Sequence, residues 1–195
     1  MLNDADLLKC HIEAVPQPRS RVVLIVVSGL PGTGKSYFSR RMAERIPLAI
    51  VETDAMRKIL FHTPTYSGME SSRLFKACHG LIEGLLGKGI SVLFDATNLV
   101  EKNRERLYNI AHKTDAKLIL VRVEAPIDVV SRRLQRREEG NAQEEDNSTA
   151  DWSVYRRMKA SVEPIRRNHF AVDTSRDITP VILKIAREVN RWLRL

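Results

Sequence analysis

Short apolar runs alternate with longer amphipathic stretches along most of this chain. The apolar runs predict five strands, at residues 22–28, 49–52, 91–94, 118–123 and 170–172. The first run is continuously apolar and rich in β-branched residues through Val27, which is typical of a central strand in a parallel sheet covered on both faces. The stretches between and after the strands predict helices at residues 35–46, 56–61, 71–86, 101–113, from Pro126 onward, and at 180–193.

This alternation of strands and helices predicts an α/β fold of three layers, a mostly parallel five-stranded sheet with helices on both faces. A length of 195 residues and a hydrophobic content of 43 % suit one domain, at residues 21–195, after a polar extension at residues 1–20. Ligands of such sheets bind beyond the carboxyl ends of the strands. Polar residues that directly follow a strand are therefore the candidates for chemistry.

Residues 29–36, Gly-Leu-Pro-Gly-Thr-Gly-Lys-Ser, match the phosphate-binding loop, or P-loop, of P-loop NTPases. The match has its required context, because a predicted strand precedes it and a predicted helix follows it. Backbone N–H groups of such a loop surround a polyphosphate, Lys35 supplies charge at the terminal phosphates, and the Ser36 hydroxyl binds Mg²⁺. We expect ATP and Mg²⁺ as cofactors. The expected nucleotide contacts are Gly29, Pro31, Gly32, Thr33, Gly34, Lys35, Ser36 and Tyr37.

Acidic residues follow the second and third predicted strands. Asp54 precedes Arg57 by three positions, which places both on one face of a helix that begins there. In phosphoryl transfer to an alcohol, a carboxylate accepts the hydroxyl proton and an arginine holds a phosphate, so the pair fits those roles. The alternative is an Asp54 that only caps the helix and an Arg57 in solvent.

Asp95 ends the third strand, where it can hold Mg²⁺ together with Ser36 or position catalytic groups beside the P-loop. Asp95 can also be a turn-forming residue that acts with Asn98. From the sequence alone, Asp54 and Asp95 could also have each other's role. No strand ends in Asp-Glu, which would supply a glutamate to activate water, and this favours transfer to a bound acceptor over hydrolysis.

Four arginines lie in the helix after the fourth strand, where a lid closes over nucleotide phosphates. They are Arg132, Arg133, Arg136 and Arg137. Helical spacing places Arg133 and Arg137 on one face and the other two on another, so one pair is left to solvent or to Glu138 and Glu139. The lid is expected at about residues 132–151, and its polar, acidic part from residue 138 onward is expected to be mobile.

The composition indicates the cellular compartment and the charge of the expected ligands. Cys10 and Cys78 have no neighbouring ligands at metal spacing, so we expect free thiols in a reducing compartment. No signal-peptide pattern or membrane-spanning run occurs, and the expected location is cytoplasmic. The net charge of +8 favours anionic ligands without choosing among them. A cluster of Glu144, Glu145 and Asp146 would repel a polyanion, so a nucleic-acid acceptor is possible but not favoured.

The combined motifs resemble the polynucleotide-kinase-like P-loop kinases, a family that includes the phage 5′-polynucleotide kinase domain. The resemblance covers nearly all of the chain after about residue 22. It is carried by the P-loop, residues 53–57, residues 95–98 with Arg104 downstream, the spacing of Arg133 and Arg137, and residues 172–175. It implies that Asp54 is the general base, that Arg57 contacts substrate or the transferring phosphate, and that Arg133 and Arg137 are lid arginines.

The expected activity is therefore transfer of the γ-phosphoryl group of ATP to an acceptor hydroxyl. The expected catalytic residues are Lys35, Asp54, Arg57, Asp95, Arg133 and Arg137. The acceptor is a small molecule or a nucleic-acid end, because related folds phosphorylate both. The alternative is a nucleotide-driven switch or binding module that has no dedicated acceptor. The oligomeric state is left open.

Overall fold

Five parallel strands form one sheet at the centre of the molecule. The computed structural model describes residues 3–12, 14–65, 67–139 and 150–194. The strand order is β2-β3-β1-β4-β5, and every neighbouring pair is parallel. The strands are β1 (Val23–Ser28), β2 (Ala49–Glu52), β3 (Val92–Asp95), β4 (Lys117–Glu124) and β5 (Phe170–Asp173). The predicted α/β fold with a five-stranded parallel sheet is confirmed.

Eight helices lie within the described ranges, and six of them correspond to predicted helices. They are α1 (Asp4–Lys9), α2 (Lys35–Ala43), α3 (Thr53–Leu60), α4 (Gly68–Leu86), α5 (Glu101–Lys113), α6 (Ile127–Glu138), α7 (Trp152–Lys159) and α8 (Thr179–Arg194). Helix α3 begins three residues earlier than predicted, directly after β2. Helices α1 and α7 were not predicted. No helix in the described part of the chain is long and apolar enough to cross a bilayer.

The two faces of the sheet bury separate hydrophobic clusters. Along β1, Leu24 and Val26 point into a cluster with α4 and α5, whereas Ile25 and Val27 point into a cluster with α2 and α8. This alternation follows from the two-residue period of a strand. All six residues of β1 are buried, as expected for the central strand of a sheet covered on both sides.

The polar N-terminal stretch contributes a helix to the first cluster. Asn3 caps α1 by accepting a hydrogen bond from the Asp6 backbone N–H at 2.9 Å. Leu8 is fully buried in the cluster that contains α4. Asp4 accepts two hydrogen bonds from Arg73 of α4, at 2.7 and 2.8 Å. Helix α1 therefore packs on the domain instead of extending from it.

Helices α6 and α7 form a small layer over the P-loop. Val130 and Leu134 of α6 are buried with Tyr155 of α7, whose ring stacks on Trp152 at a centroid distance of 5.0 Å. A Cβ at Gly32 would lie 3.1 Å from Val130 and 3.2 Å from Leu134, so the apolar side of α6 rests on the loop. The acidic part of the expected lid, residues 140–149, lies outside the described residues.

His79 of α4 is a titratable group within the first hydrophobic layer. Its ring lies 6.0 Å from that of Phe75 and 6.2 Å from that of Phe94. Its Nε2 is buried and has no hydrogen-bond partner among the described residues. Burial, assisted by the charge of Arg106, lowers the pKa of His79 from 6.5 to about 4. The folded protein therefore holds His79 neutral at pH values where an unfolded chain protonates it.

We expect His79 to make the protein less stable as the pH falls from about 6.5 towards 4. The unfolded state binds a proton in that window and the folded state does not, so the loss is on the order of 2 kcal/mol at pH 5. Urea unfolding at pH 7.5 and pH 5 should show a smaller loss for His79→Phe than for wild type. His62→Gln, at an exposed histidine, is the matched control. Equal losses in wild type and His79→Phe would contradict the assignment.

Candidate functional site

The loop between β1 and α2 has a backbone that only glycine fits at several points. Gly32 and Gly34 have φ angles of 75° and 85°, in the left-handed region. A Cβ at Gly29 would lie 2.4 Å from the carbonyl oxygen of Val123 in β4. The glycines of the motif are thus required by the path of the chain. That path brings the loop to the N-terminus of α2, where unpaired N–H groups favour an anion.

Contacts within and around the loop hold it in this conformation. The Gly29 N–H donates to the Thr97 carbonyl at 3.1 Å, which ties the loop to the connection after β3. The Lys35 ammonium and the Thr33 hydroxyl both donate to the Leu30 carbonyl, at 3.2 and 2.8 Å. The Lys35 charge therefore folds back along the loop. Of the other expected nucleotide contacts, Pro31 is buried and Tyr37 is 48 % exposed.

Two carboxylates meet the P-loop at the carboxyl edge of the sheet. The parallel register places Asp95 opposite Val27 of β1 and opposite Glu52 of β2. The Ser36 hydroxyl donates to Glu52 at 3.1 Å, and the Ser39 hydroxyl donates to Asp95 at 3.0 Å. Glu52 was not among the predicted site residues. Its position beside Ser36 follows from pairing between strands that are distant in sequence.

Asp95 is only 3 % exposed. Burial raises its pKa, whereas the charge of Lys35 and the hydrogen bond from Ser39 act in the opposite direction. Ser36, Glu52 and Asp95 offer hydroxyl and carboxylate oxygens, which are the ligand types that Mg²⁺ prefers. The described residues contain no group of three or more His, Cys, Asp or Glu arranged to hold a metal. Ser36, Glu52 and Asp95 thus fit Mg²⁺ by ligand type.

Asp54 and Arg57 lie one turn apart on α3 in different environments. The residue that caps α3 is Glu52, so Asp54 lies inside the first turn and is partly exposed. The Thr53 hydroxyl donates to the Asp95 carbonyl at 3.3 Å, which fixes the start of α3 beside the third strand. Arg57 is only 7 % exposed, and its guanidinium forms an ion pair with Glu70 of α4. The alternative of a solvated Arg57 is therefore wrong.

Glu70 is a further member of the site that the sequence analysis missed. One carboxylate oxygen accepts from Arg57, and the other accepts from the N–H and hydroxyl of Thr65, at 2.6 and 2.8 Å. Burial raises the pKa of Glu70, but the hydrogen bonds from Thr65 and Arg57 outweigh it and lower the pKa to about 2. The carboxylate is thus ionised at neutral pH. It fixes Arg57 relative to the connection before α4.

Arg133 links the lid, the P-loop and the turn after β5. It donates to the Gly32 carbonyl at 3.2 Å, and to the hydroxyl and carbonyl of Thr174 at 2.9 and 3.0 Å. The Thr174 hydroxyl in turn donates to the Thr33 carbonyl at 2.7 Å. Burial lowers the pKa of Arg133, against the charge of Asp173. The guanidinium thus lies against the phosphate loop, as a lid arginine is expected to do.

The other lid arginines divide as helical spacing predicts. Arg137, one turn after Arg133, donates to the Ala150 carbonyl at 3.4 Å. Arg132 is exposed and pairs with Asp128 at 2.9 Å, and Arg136 is also exposed. Only the face of α6 that carries Arg133 and Arg137 is directed inward. The acidic cluster at residues 144–146 lies outside the described residues.

Arg104 has a structural role. It is 1 % exposed, and its Nε donates to Glu101 at 2.7 Å. Its Nη1 donates to the Asn98 and Leu99 carbonyls at 2.8 Å, and its Nη2 to the carbonyls of residues 163 and 164 at 3.0 Å. All three nitrogens are therefore occupied by the protein. Arg104 ties the connection after β3 to the segment after α7.

Comparison with known proteins gives the family of the chain. A family model described as AAA domain (AAA_33) matches residues 24–165. The chain belongs to this family. It is 31 % identical over 116 residues to the L-seryl-tRNA(Sec) kinase of Methanococcus maripaludis, across 57 % of this chain and 44 % of that protein. It is 29 % identical over 133 residues to an uncharacterized protein of Mycobacterium tuberculosis, across 62 % of this chain and 27 % of that protein.

The chain thus spans less than half the length of these relatives. Solved structures share its fold at lower identity. Chaetomium thermophilum Kti12 in complex with ADP-AlF3 matches with a TM-score of 0.71 and 19 % identity, over 87 % of this chain and 98 % of that one. The Mycobacterium tuberculosis APS kinase CysC matches with a TM-score of 0.62 and 15 % identity, over 92 % of this chain and 100 % of that one. The fold is the P-loop kinase fold.

Replacing Arg104 should unfold the protein before it affects any chemistry. Arg104→Met leaves buried carbonyl oxygens without donors, and we expect a loss of at least about 3 kcal/mol in the free energy of unfolding. Arg104→Lys should recover only part of the lost stability, because one ammonium cannot replace the hydrogen bonds of the planar guanidinium group. Urea denaturation measures both, with Arg106→Met at an exposed position as the control. A stable but inactive Arg104→Met protein would instead assign Arg104 to the reaction.

Proposed function

We propose that this protein is an ATP- and Mg²⁺-dependent kinase that transfers the γ-phosphoryl group to a hydroxyl group of an acceptor. The observation that carries the proposal is the joining of two half-sites at one sheet edge. Ser36 of the P-loop contacts Glu52, and the next helix begins at Thr53, followed by Asp54. A phosphate donor site and a candidate base for the acceptor are therefore neighbours.

The donor half consists of the P-loop, its cations and its hydroxyl. Lys35 and the N-terminus of α2 neutralise the β- and γ-phosphates, since Lys35 is the first residue of that helix and its ammonium lies back along the loop. Ser36 and Asp95, with Glu52 beside them, would hold Mg²⁺, which withdraws charge from the phosphate oxygens when it is bound. Arg133 lies against the loop and stabilises the charge of the transferring group, and Arg137 supports the same lid face.

The acceptor half consists of Asp54 and Arg57. Asp54 accepts the proton of the acceptor hydroxyl as the oxygen–phosphorus bond to the acceptor forms and the bond to ADP breaks. Arg57 would contact the acceptor or the transferring phosphate, and its ion pair with Glu70 fixes its position. The order of these motifs supports membership of the polynucleotide-kinase-like group within the family. The acceptor class is a small alcohol or a nucleic-acid end.

A screen with γ-labelled ATP and Mg²⁺ tests the proposal. The acceptors are oligonucleotide 5′-hydroxyl ends, nucleosides, sugars and aminoglycoside-like alcohols, and we expect label to appear on one class. The Lys35→Ala variant should lose that transfer, because the phosphates lose their main cation. If labelled phosphate is released at a rate that does not depend on any added acceptor, the result would support the nucleotide-driven switch instead.

The Asp54→Asn variant tests the general base separately. We expect acceptor-dependent kcat to fall by about 10²–10⁴-fold, because proton transfer in the transition state is lost. ATP affinity should remain within about twofold, since Asp54 lies outside the P-loop. Asp115→Asn, at an exposed aspartate two residues after the end of α5, is the matched control. Near wild-type turnover in Asp54→Asn, with turnover abolished in Lys35→Ala, would remove Asp54 from the mechanism and leave nucleotide binding intact.

A further inference from the structure

The outer face of α8 carries a row of cations. Lys184, Arg187 and Arg191, which we call the basic stripe, are exposed and spaced three and four residues apart. Spacing of three or four residues places side chains on one side of a helix. The opposite side is buried in the second hydrophobic cluster through Ile182, Ile185, Ala186 and Val189. The basic stripe therefore faces away from the core.

The basic stripe forms no ion pair within the described part of the chain. No described carboxylate forms an ion pair with any of the three residues, and the nearby Glu188 pairs with Lys117 of β4 at 3.0 Å. The Nε of Arg187 donates to the Leu183 carbonyl at 3.2 Å. Together with Lys117 and Trp192, the basic stripe lines a groove of about 590 Å³. The groove thus carries four cations and one carboxylate.

The fold accounts for only part of this arrangement, through the Lys184 ammonium 5.6 Å from the centroid of the Phe170 ring and through Glu188, which lies four residues after Lys184 and three before Arg191. Cations in the last turn of a helix are favourable for its dipole, but only Arg191 and Arg194 lie there. Lys184 and Arg187 lie in the middle of α8, and like charges three or four residues apart repel each other. An anionic partner that lies along the stripe would remove this repulsion.

We propose that the basic stripe binds the phosphate backbone of a nucleic acid. Lys184 and Arg191 are separated by roughly 10 Å along the helix axis at 1.5 Å per residue, which is the length of about three base-pair steps of a duplex at 3.4 Å per step. Leu183 is the exposed large hydrophobic residue of the described α8, and it is isolated. A protein partner needs an apolar centre to its interface, so a phosphate backbone fits this surface better.

The proposed surface is separate from the acceptor half of the candidate active site. The Trp192 indole N–H donates to the Val22 carbonyl at 3.1 Å, just before β1, and Lys117 is the first residue of β4. The last turns of α8 therefore lie at the amino ends of the strands. Asp54 and the P-loop lie at the carboxyl ends. Nucleic acid bound here is a docking partner, whether or not it is the acceptor.

A pair of triple variants tests the proposal on the full chain. The stripe variant is Lys184→Gln, Arg187→Gln and Arg191→Gln. The control variant is Arg156→Gln, Arg157→Gln and Lys159→Gln, which removes three exposed cations from α7 and lowers the net charge equally. Fluorescence anisotropy measures the binding of labelled single-stranded RNA, single-stranded DNA and duplex DNA between about 50 and 200 mM salt. Circular dichroism and ATP binding verify that both variants fold.

We expect the stripe variant to bind at least about tenfold more weakly at 0.1 M salt. For three lost phosphate contacts, the slope of log K against log salt should be reduced by roughly 2 on single strands and by nearly 3, about 2.7, on duplex DNA. The control variant should change affinity by less than about twofold. Equal losses in both variants would overturn the proposal in favour of nonspecific charge. Absence of binding by the wild-type protein would overturn it as well. Tighter binding to a polyglutamate peptide than to any oligonucleotide would assign the surface to an acidic protein.

Discussion

The register of the three strands β2, β3 and β1 is the constraint on which the candidate site depends. Backbone pairing places Asp95 opposite both Val27 and Glu52, so the carboxyl ends of three strands meet at one edge. A shift of one residue would turn Asp95 to the other face of the sheet and place Phe94 at the candidate site instead. The register is held by burial, because every residue of β1 and β3 is buried. The polar site is therefore positioned by apolar packing beneath it.

The P-loop adds a second constraint, which is steric. Its first glycine lies against the backbone of β4, and Gly34 lies against Thr174, whose hydroxyl would be 2.9 Å from an added Cβ. Thr174 also accepts from Arg133 and donates to Thr33, so one hydroxyl joins the lid to the loop. A nucleotide that enters must compete for or use these donors. The loop and the inward face of α6 consequently form one unit, and a change at Thr174 would be transmitted to both.

The sequence predicted the parts of the fold whose signals are local. Strand β2 and helix α5 occur at the predicted residues, because each is a short apolar run or a strongly periodic stretch. Helix α1 was missed since its six residues carry little periodicity and its stability comes from Leu8 and Asp4 packing on α4. Among site residues, the P-loop was evident from its motif. Glu52 and Glu70 were not, because their partners lie 16 and 13 residues away and nothing in the local pattern marks them.

The arginines of this chain differ in the groups that balance their positive charge. Arg104 is buried and donates to four carbonyls and a carboxylate, so its charge is used to hold the chain together. Arg57 is buried against an ionised carboxylate, and Arg133 is held by neutral carbonyl and hydroxyl oxygens beside the phosphate loop. A cation that the fold places among neutral acceptors loses hydration without gaining a countercharge, and an anion bound there supplies that charge. This argument applies to Arg133, which burial deprives of part of its hydration, whereas the cations of the basic stripe on α8 are exposed and would attract an anion only through their combined charge.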